Sequence, residues 1–298
     1  MMNETNNSKI WTREYPGFII FLVDQSESMN TSYPENDNKA NFTAMVINRT
    51  INDLTNIAAA GDKVRDVAFI SIIGYGDECG DSVYEIRSGY LSQFADNPLR
   101  IENGKQKVSD GNGGFIEINV QNPIFVNPVA QGNAPMGSAL EFTKELIDAW
   151  LSDKPGSPAP VIIHISDGLP CNREGSYDEK AKAIIAAFDI MNLSCEDGNP
   201  LLFNVYIGNV LTECMFNATE SELPDEQAKF LFSISSKIPE SCKFLALRCG
   251  FSVCPDSRGF ISNATPEFFI GLFRIGWDSA FPPSTKSRIR RIRGKWSN

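Results

Sequence analysis

At 298 residues, with 42 % hydrophobic and 21 % charged side chains, the chain has the composition of a folded globular protein, not of a disordered or fibrous one. A formal net charge of −10 disfavours nucleic acid as the main ligand of the body, and no apolar run approaches the ~20 residues that a bilayer-spanning helix needs. Seven cysteines without a C-x-x-C pair, beside one histidine, exclude the usual Cys/His zinc sites and point to free thiols in a reducing compartment.

Residues 1–14 read as a polar N-terminal extension. They lack a basic segment followed by an apolar one, so the chain is expected to be cytoplasmic. Residues 18–23 are an unbroken apolar run that stops at Asp24, the pattern of a strand buried on both faces. Apolar positions at Phe42, Val46, Ile47, Ile51, Leu54, Ile57 and Ala58 have helical spacing over residues 39–60, with Gly61 to end the helix. Residues 64–75 predict a second buried strand. Between 76 and 130 seven glycines punctuate short alternating segments, which predict one or two hairpins at the sheet edge. Pro135 opens a helix that runs to the break at 154–158. Residues 161–166 predict a third buried strand, ending at Asp167.

A helix over 177–192, a strand over 201–207, a helix over 225–238 and a last strand over 242–247 complete the alternation. Thr265-Pro266-Glu267 looks like a helix start. Strands alternating with helices predict a mostly parallel sheet covered on both faces, with ligands at the carboxyl ends of the strands. Asp24 and Asp167 both fall on that edge. The last stretch, residues 286–298, holds six basic residues and no acidic one, leaving 21 basic against 37 acidic in the remainder. It reads as a solvated tail or a contact for an acidic partner.

Asp24-Gln25-Ser26-Glu27-Ser28 places one carboxylate and two hydroxyls in a single loop, and Asp167 arrives from another strand end. Such hard oxygen donors suit Mg²⁺ or Mn²⁺, with a coordination position left for a carboxylate from a partner. Taken singly, each aspartate also suits a cap on the loop after a buried strand, and Ser28 suits a helix cap. His164, inside an apolar run, reads as a core histidine. Cys171 reads as an incidental thiol, and Asp77, Glu78 and Asp81 as a solvated loop.

Three segments, Asp24-x-Ser26-x-Ser28-Met29, Gly132-Asn133-Ala134-Pro135-Met136-Gly137 and Ser166-Asp167-Gly168-x-Pro170, resemble in order the three motifs of the von Willebrand factor A family. The likeness is greatest to its bacterial intracellular branch, which includes tellurium-resistance-associated members. The resemblance covers residues 15–210 and extends more loosely to 280. It implies a Rossmann-like α/β domain over 15–280, with a doubly wound, mostly parallel sheet, followed by a basic tail at 281–298. It also implies a metal-ion-dependent adhesion site in which Ser26 and Ser28 bind Mg²⁺ or Mn²⁺ directly and Asp24 and Asp167 act mostly through water. The implied partner is a protein offering a carboxylate to the ion. Where the family has a threonine this chain has Ala134, so one oxygen is missing and Asn133 is the neighbouring candidate.

The expected function is therefore a protein-binding adaptor, not an enzyme, in a bacterial stress or conflict system. A metal-independent scaffold of the same fold is the alternative, and Ala134 supports it. A phosphoester hydrolase using Asp24 or Ser26 is disfavoured by the lack of a phosphate-binding loop, a nucleophile elbow and a second histidine.

Overall fold

A computed structural model describes residues 7–34, 36–76, 82–109, 115–171, 176–208, 214–243 and 252–262. In chain order the elements are β1 (Gly17–Asp24), α1 (Lys39–Ala58), β2 (Ala59–Ala60), β3 (Lys63–Val64), β4 (Ala68–Tyr75), β5 (Val83–Tyr90), α2 (Leu91–Asp96), β6 (Arg100–Ser109) and β7 (Phe115–Ile124). There follow α3 (Met136–Asp153), β8 (Val161–Ser166), α4 (Ser176–Asn192), β9 (Leu201–Tyr206), β10 (Cys214–Met215), α5 (Glu226–Ser233) and β11 (Phe260–Ser262). A single 3-10 turn, Glu27–Asn30, separates β1 from α1.

Seven strands form one sheet in the order β10-β11-β9-β8-β1-β4-β5. β4, β1, β8, β9 and β11 run parallel, and an antiparallel strand closes each edge. The expected α/β architecture, a mostly parallel sheet flanked by helices, is what the chain adopts. The unbroken apolar run of β1 has a direct cause. Ile19, Phe21 and Val23 face the core built with Val46, Ile47, Ile51 and Leu54 of α1, while Phe18, Ile20 and Leu22 face the core built with α3, α4 and α5. A strand buried on both faces has no reason to alternate.

The stretch read as one strand over 64–75 divides. Lys63–Val64 pairs with Ala59–Ala60 in a tight hairpin, and the sheet strand starts only at Ala68. Gly61, expected to end α1, instead takes φ +62 in that turn, so the helix stops at Ala58. Of the two glycine-rich segments, β5 lies at the sheet edge as expected, whereas β6 and β7 pair only with each other. The base of that ribbon is pinned to α1 by Asn48, whose Oδ1 accepts from the Phe125 and Val126 amides at 2.7 and 2.9 Å and whose Nδ2 donates to the Val126 carbonyl at 2.9 Å. Asn48→Ala strands three backbone groups and is expected to cost about 2 kcal/mol in urea unfolding. A variant as stable as the parent would refute that anchoring role.

Four expectations need correction or fall outside the description. Residues 240–243 form a helical turn, with the Cys242 and Lys243 amides both donating to the Pro239 carbonyl, so no strand starts at Cys242; residues 244–247 lie outside the described residues, among which β11 is the last strand. The proposed helix start at Thr265, the basic tail at 286–298 and the acidic loop of Asp77, Glu78 and Asp81 lie outside the described residues. At the other end, residues 7–14 are fastened to the body. Asp197 Oδ1 accepts from the Ser8 and Lys9 amides, and Trp11 packs so closely on Gly17 that a Cβ there would lie 2.2 Å from the indole. Among the described residues no helix is long and apolar enough to cross a membrane.

Candidate functional site

Because β1 and β8 are adjacent and parallel, with Val23 opposite Ile165, their carboxyl ends deliver Asp24 and Asp167 to the same edge. The loops around them are laced by backbone bonds. The Gln25 amide donates to the Tyr75 carbonyl (2.9 Å), the Gln131 amide to the Gln25 carbonyl (2.6 Å) and the Glu27 amide to the Gly132 carbonyl (3.0 Å). Ala134 and Cys171 exchange both of their backbone bonds. The three segments singled out in the sequence are thus brought into direct contact. Gly76 takes φ +94 beside them, where a Cβ would meet the Asn133 carbonyl at 2.6 Å, so only glycine fits that turn.

Four of the five expected side chains form one network. Asp24 Oδ1 accepts from the Ser26 amide (2.9 Å) and Oδ2 from the Ser166 hydroxyl (2.6 Å). Ser26 and Ser28 hydroxyls lie 3.1 Å apart, and Ser28 donates to Asp167 Oδ1 at 2.6 Å. The fifth, Asn133, lies half-buried between Gly132 and Ala134, at the backbone junction of the loops.

A sixth group joins them that the sequence reading did not single out. Lys39, the first residue of α1, places its ammonium 2.7 Å from Asp167 Oδ2, with side-chain exposures of only 4 % for the lysine and 3 % for the aspartate. A cation in the first turn opposes the helix dipole, so its presence there is a cost that Asp167 offsets. That misplacement of charge was the one signal available in the sequence.

Ala134 also finds its explanation in an unexpected residue. It offers no side chain to cap α3, and the cap comes from α4 instead. Glu179 Oε2 accepts from the Gly137 and Ser138 amides at 2.9 and 3.2 Å, and Oε1 from the Ser138 hydroxyl at 3.3 Å. A buried carboxylate at a helix N-terminus satisfies orphan amides and meets the favourable end of the dipole.

Burial governs the ionisation of the floor. It pushes the Asp24 carboxyl up to about 6, helped by the charge of Asp167, while hydrogen bonds from Ser166 and Ser26 pull the other way. Behind Asp24, Tyr75 Oη lies 2.7 Å from His164 Nε2, and His164 Nδ1 lies 2.7 Å from Asn204 Oδ1. The amide oxygen of Asn204 only accepts, because its Nδ2 donates to Ser235 Oγ at 2.9 Å. His164 therefore carries its proton on Nδ1 and accepts from Tyr75. Burial holds its pKa down at about 4, as expected of a core histidine.

The oxygens present do not fit a divalent ion in this arrangement. Both oxygens of Asp24 accept hydrogen bonds, and both oxygens of Asp167 are engaged, one by Ser28 and one by Lys39. The threonine oxygen of the family pattern is replaced by the methyl group of Ala134. A divalent cation held ~4 Å from a fixed ammonium is repelled by about 8 kcal/mol at an effective dielectric near 20.

No family model matches the chain, and no curated protein matches it. Solved structures do. The pilus adhesin SpaC from Lactobacillus rhamnosus GG is 13 % identical with a TM-score of 0.48, over 89 % of this chain and 30 % of its own. Proximal thread matrix protein 1 from the mussel byssus, in a structure with a zinc-occupied MIDAS motif, is 12 % identical with a TM-score of 0.39, over 89 % of this chain and 48 % of its own. The vWF domain of the pilus tip protein Mfa5 from Porphyromonas gingivalis is 14 % identical with a TM-score of 0.29, over 52 % of this chain and 39 % of its own. This chain spans less than half the length of each. The neighbours thus include von Willebrand factor A-like domains, at identities and TM-scores that say nothing of what this chain binds.

Proposed function

We propose that the chain is a protein-interaction module whose contact surface is the carboxyl edge of the sheet, and that it is not an enzyme. The supporting observation is the lacing of three loops around the Asp24–Ser26–Ser28–Asp167 network. Exposed Glu27, Ser28, Asn30, Gln131 and Cys171 form a rim over a buried polar floor. The floor suits recognition better than turnover. The chain's one histidine has both ring nitrogens engaged below the surface, so it does not serve Ser26 or Ser28 as a base.

The version implied by the family resemblance has Mg²⁺ or Mn²⁺ completed by a partner carboxylate. The engaged oxygens and Ala134 favour the metal-independent scaffold instead. Among the described residues, Cys195, Cys242 and Cys254 are free thiols, which supports a reducing, cytoplasmic setting. The placement in a bacterial stress or conflict system rests on the family resemblance alone.

The test is affinity capture from the native host with the parent chain and a Glu27→Arg/Gln131→Arg rim variant, in Mg²⁺ and in EDTA. A partner retained by the parent in both media and lost by a rim variant of unchanged thermal stability is the expected result. Identical partners on parent and rim variant would remove the sheet edge as the contact surface. Phosphoester turnover abolished by Asp24→Asn would replace the reading with a hydrolase.

A further inference from the structure

The Lys39 ammonium sits among the oxygens that an ion-dependent site would offer to a metal. It holds Asp167 Oδ2 at 2.7 Å, while Asp167 Oδ1 takes the Ser28 hydroxyl and Ser28 lies 3.1 Å from Ser26. A lysine side chain this enclosed is retained only where its charge is met, since an unpaired buried ammonium is strongly disfavoured. The local charge is arranged for one positive centre and not for two. Asp167 faces Lys39 directly, and the second carboxylate, Asp24, is held by an amide and a hydroxyl, donors that fix it without a cation.

The backbone that carries the lysine is held in place. It is the first residue of α1, anchored by its own amide to the Thr31 carbonyl at 3.0 Å, and capped from behind by Asn38, whose side chain accepts from the Asn41 amide. Its stem is buried with the rest of the side chain. The second departure from the ion-dependent pattern, Ala134 in place of a threonine oxygen, removes a donor that an ammonium already satisfied by Asp167 does not need.

We propose that Lys39 is the resident cation of this site: a covalently tethered ammonium replaces the divalent ion, and cutting the ammonium away uncovers a latent Mg²⁺/Mn²⁺ site on Ser26, Ser28, Asp24 and Asp167. The tether sets a different behaviour from a bound metal. A metal leaves with chelator and loads with concentration, whereas Lys39 is present at one equivalent in every molecule. The inference concerns the ion and not the partner, so its failure leaves the interaction surface standing, and loss of the interaction surface leaves it untouched.

The experiment compares the parent with Lys39→Met in thermal unfolding and in direct Mn²⁺ titration, each in excess Mn²⁺, excess Mg²⁺ and EDTA. A ligand that binds only the folded state must raise its melting temperature. The parent is expected to melt at the same temperature in all three media and to take up no Mn²⁺. Lys39→Met is expected to melt lower in EDTA, to recover with Mn²⁺ and to bind one equivalent, an uptake that Ser28→Ala on the same background removes. Saturable Mn²⁺ binding to the parent that Ser28→Ala abolishes would overturn the proposal, and so would a folded Lys39→Met that ignores both ions. Should Lys39→Met fold only with Mn²⁺, the proposal is supported. Should it fold in no medium, Lys39→Gln takes its place with the same two outcomes.

Discussion

Asp167→Ala is expected to lower stability by about 3–5 kcal/mol, because it leaves the buried Lys39 ammonium without its counter-charge. For a protein of this size that corresponds to a fall in Tm on the order of 10 °C. The loss measures the stranded charge and not the worth of the pair. Replacing both partners, as Lys39→Met with Asp167→Leu, is therefore expected to recover much of it, since a buried ion pair exchanged for apolar groups of similar volume is often neutral. The coupling between the two changes is the decisive quantity. The contrast is Lys105–Glu117 on the β6–β7 ribbon, an ion pair at 3.3 Å with side-chain exposures of 71 % and 52 %. Solvent screens such a pair, and Glu117→Ala is expected to cost no more than about 1 kcal/mol. Urea unfolding of these three variants, with Lys39→Met and Asp167→Leu alone to close the cycle, checks the scheme. If Asp167→Ala were no more damaging than Glu117→Ala, the lysine would not be the charge that Asp167 is there to meet.

The second large effect is an acid–base cancellation. Asp24 titrates near 6 in the folded chain against 3.8 in its ordinary state, so the folded form binds the proton more tightly. Ionised Asp24 therefore costs stability above pH 6, and the cost fades as pH falls toward 4. His164 behaves in the opposite sense. Its pKa falls from 6.5 to about 4 on burial, so the unfolded chain takes the proton first and stability drains away as pH falls from 6.5 toward 4. Each contribution is roughly 3 kcal/mol by proton linkage, and over the same window they nearly offset each other. Asp24→Asn deletes one of them. The stability of Asp24→Asn relative to the parent is expected to decline by about 3 kcal/mol between pH 7 and pH 4, in urea titrations at matched ionic strength. A difference between the two proteins that stays constant over that range would remove the buried, proton-hungry Asp24.

Much of this architecture was legible in the sequence, for identifiable reasons. Strands buried on both faces write themselves as unbroken apolar runs, so β1, β8 and β9 fall where residues 18–23, 161–166 and 201–207 predicted them. Elements whose boundaries depend on polar detail were read less well. The strand expected over 242–247 failed at its first two residues because a proline carbonyl at Pro239 gathers the Cys242 and Lys243 amides into a helical turn, which no periodicity announces. The site divides along the same line. Asp24 and Asp167 were located because each closes an apolar run, and Ser26 and Ser28 because they share the loop with Asp24. Lys39 and Glu179 were missed because each acts on a partner more than 40 positions away: Lys39 on Asp167, and Glu179 on the amide of Gly137. A lysine opening a helix and a glutamate in the first turn of another both look like solvated surface until the fold brings them inward.

The placement of β1 between β4 and β8 has a consequence for biosynthesis. Of the two contacts that fix Asp24, the one from the Ser26 amide is two residues away, but the one from Ser166 spans 142. A growing chain can pair β1 with β4 as soon as residue 75 emerges, whereas the other flank of β1 stays unpaired until β8 is made. Throughout that interval the carboxylate of Asp24 faces water, ionised and content at neutral pH. Closing β8 over it is what forces the desolvation, so this edge of the sheet is completed only once residue 166 has been made, and a chain truncated before residue 161 carries the Asp-Ser-Ser loop without Asp167.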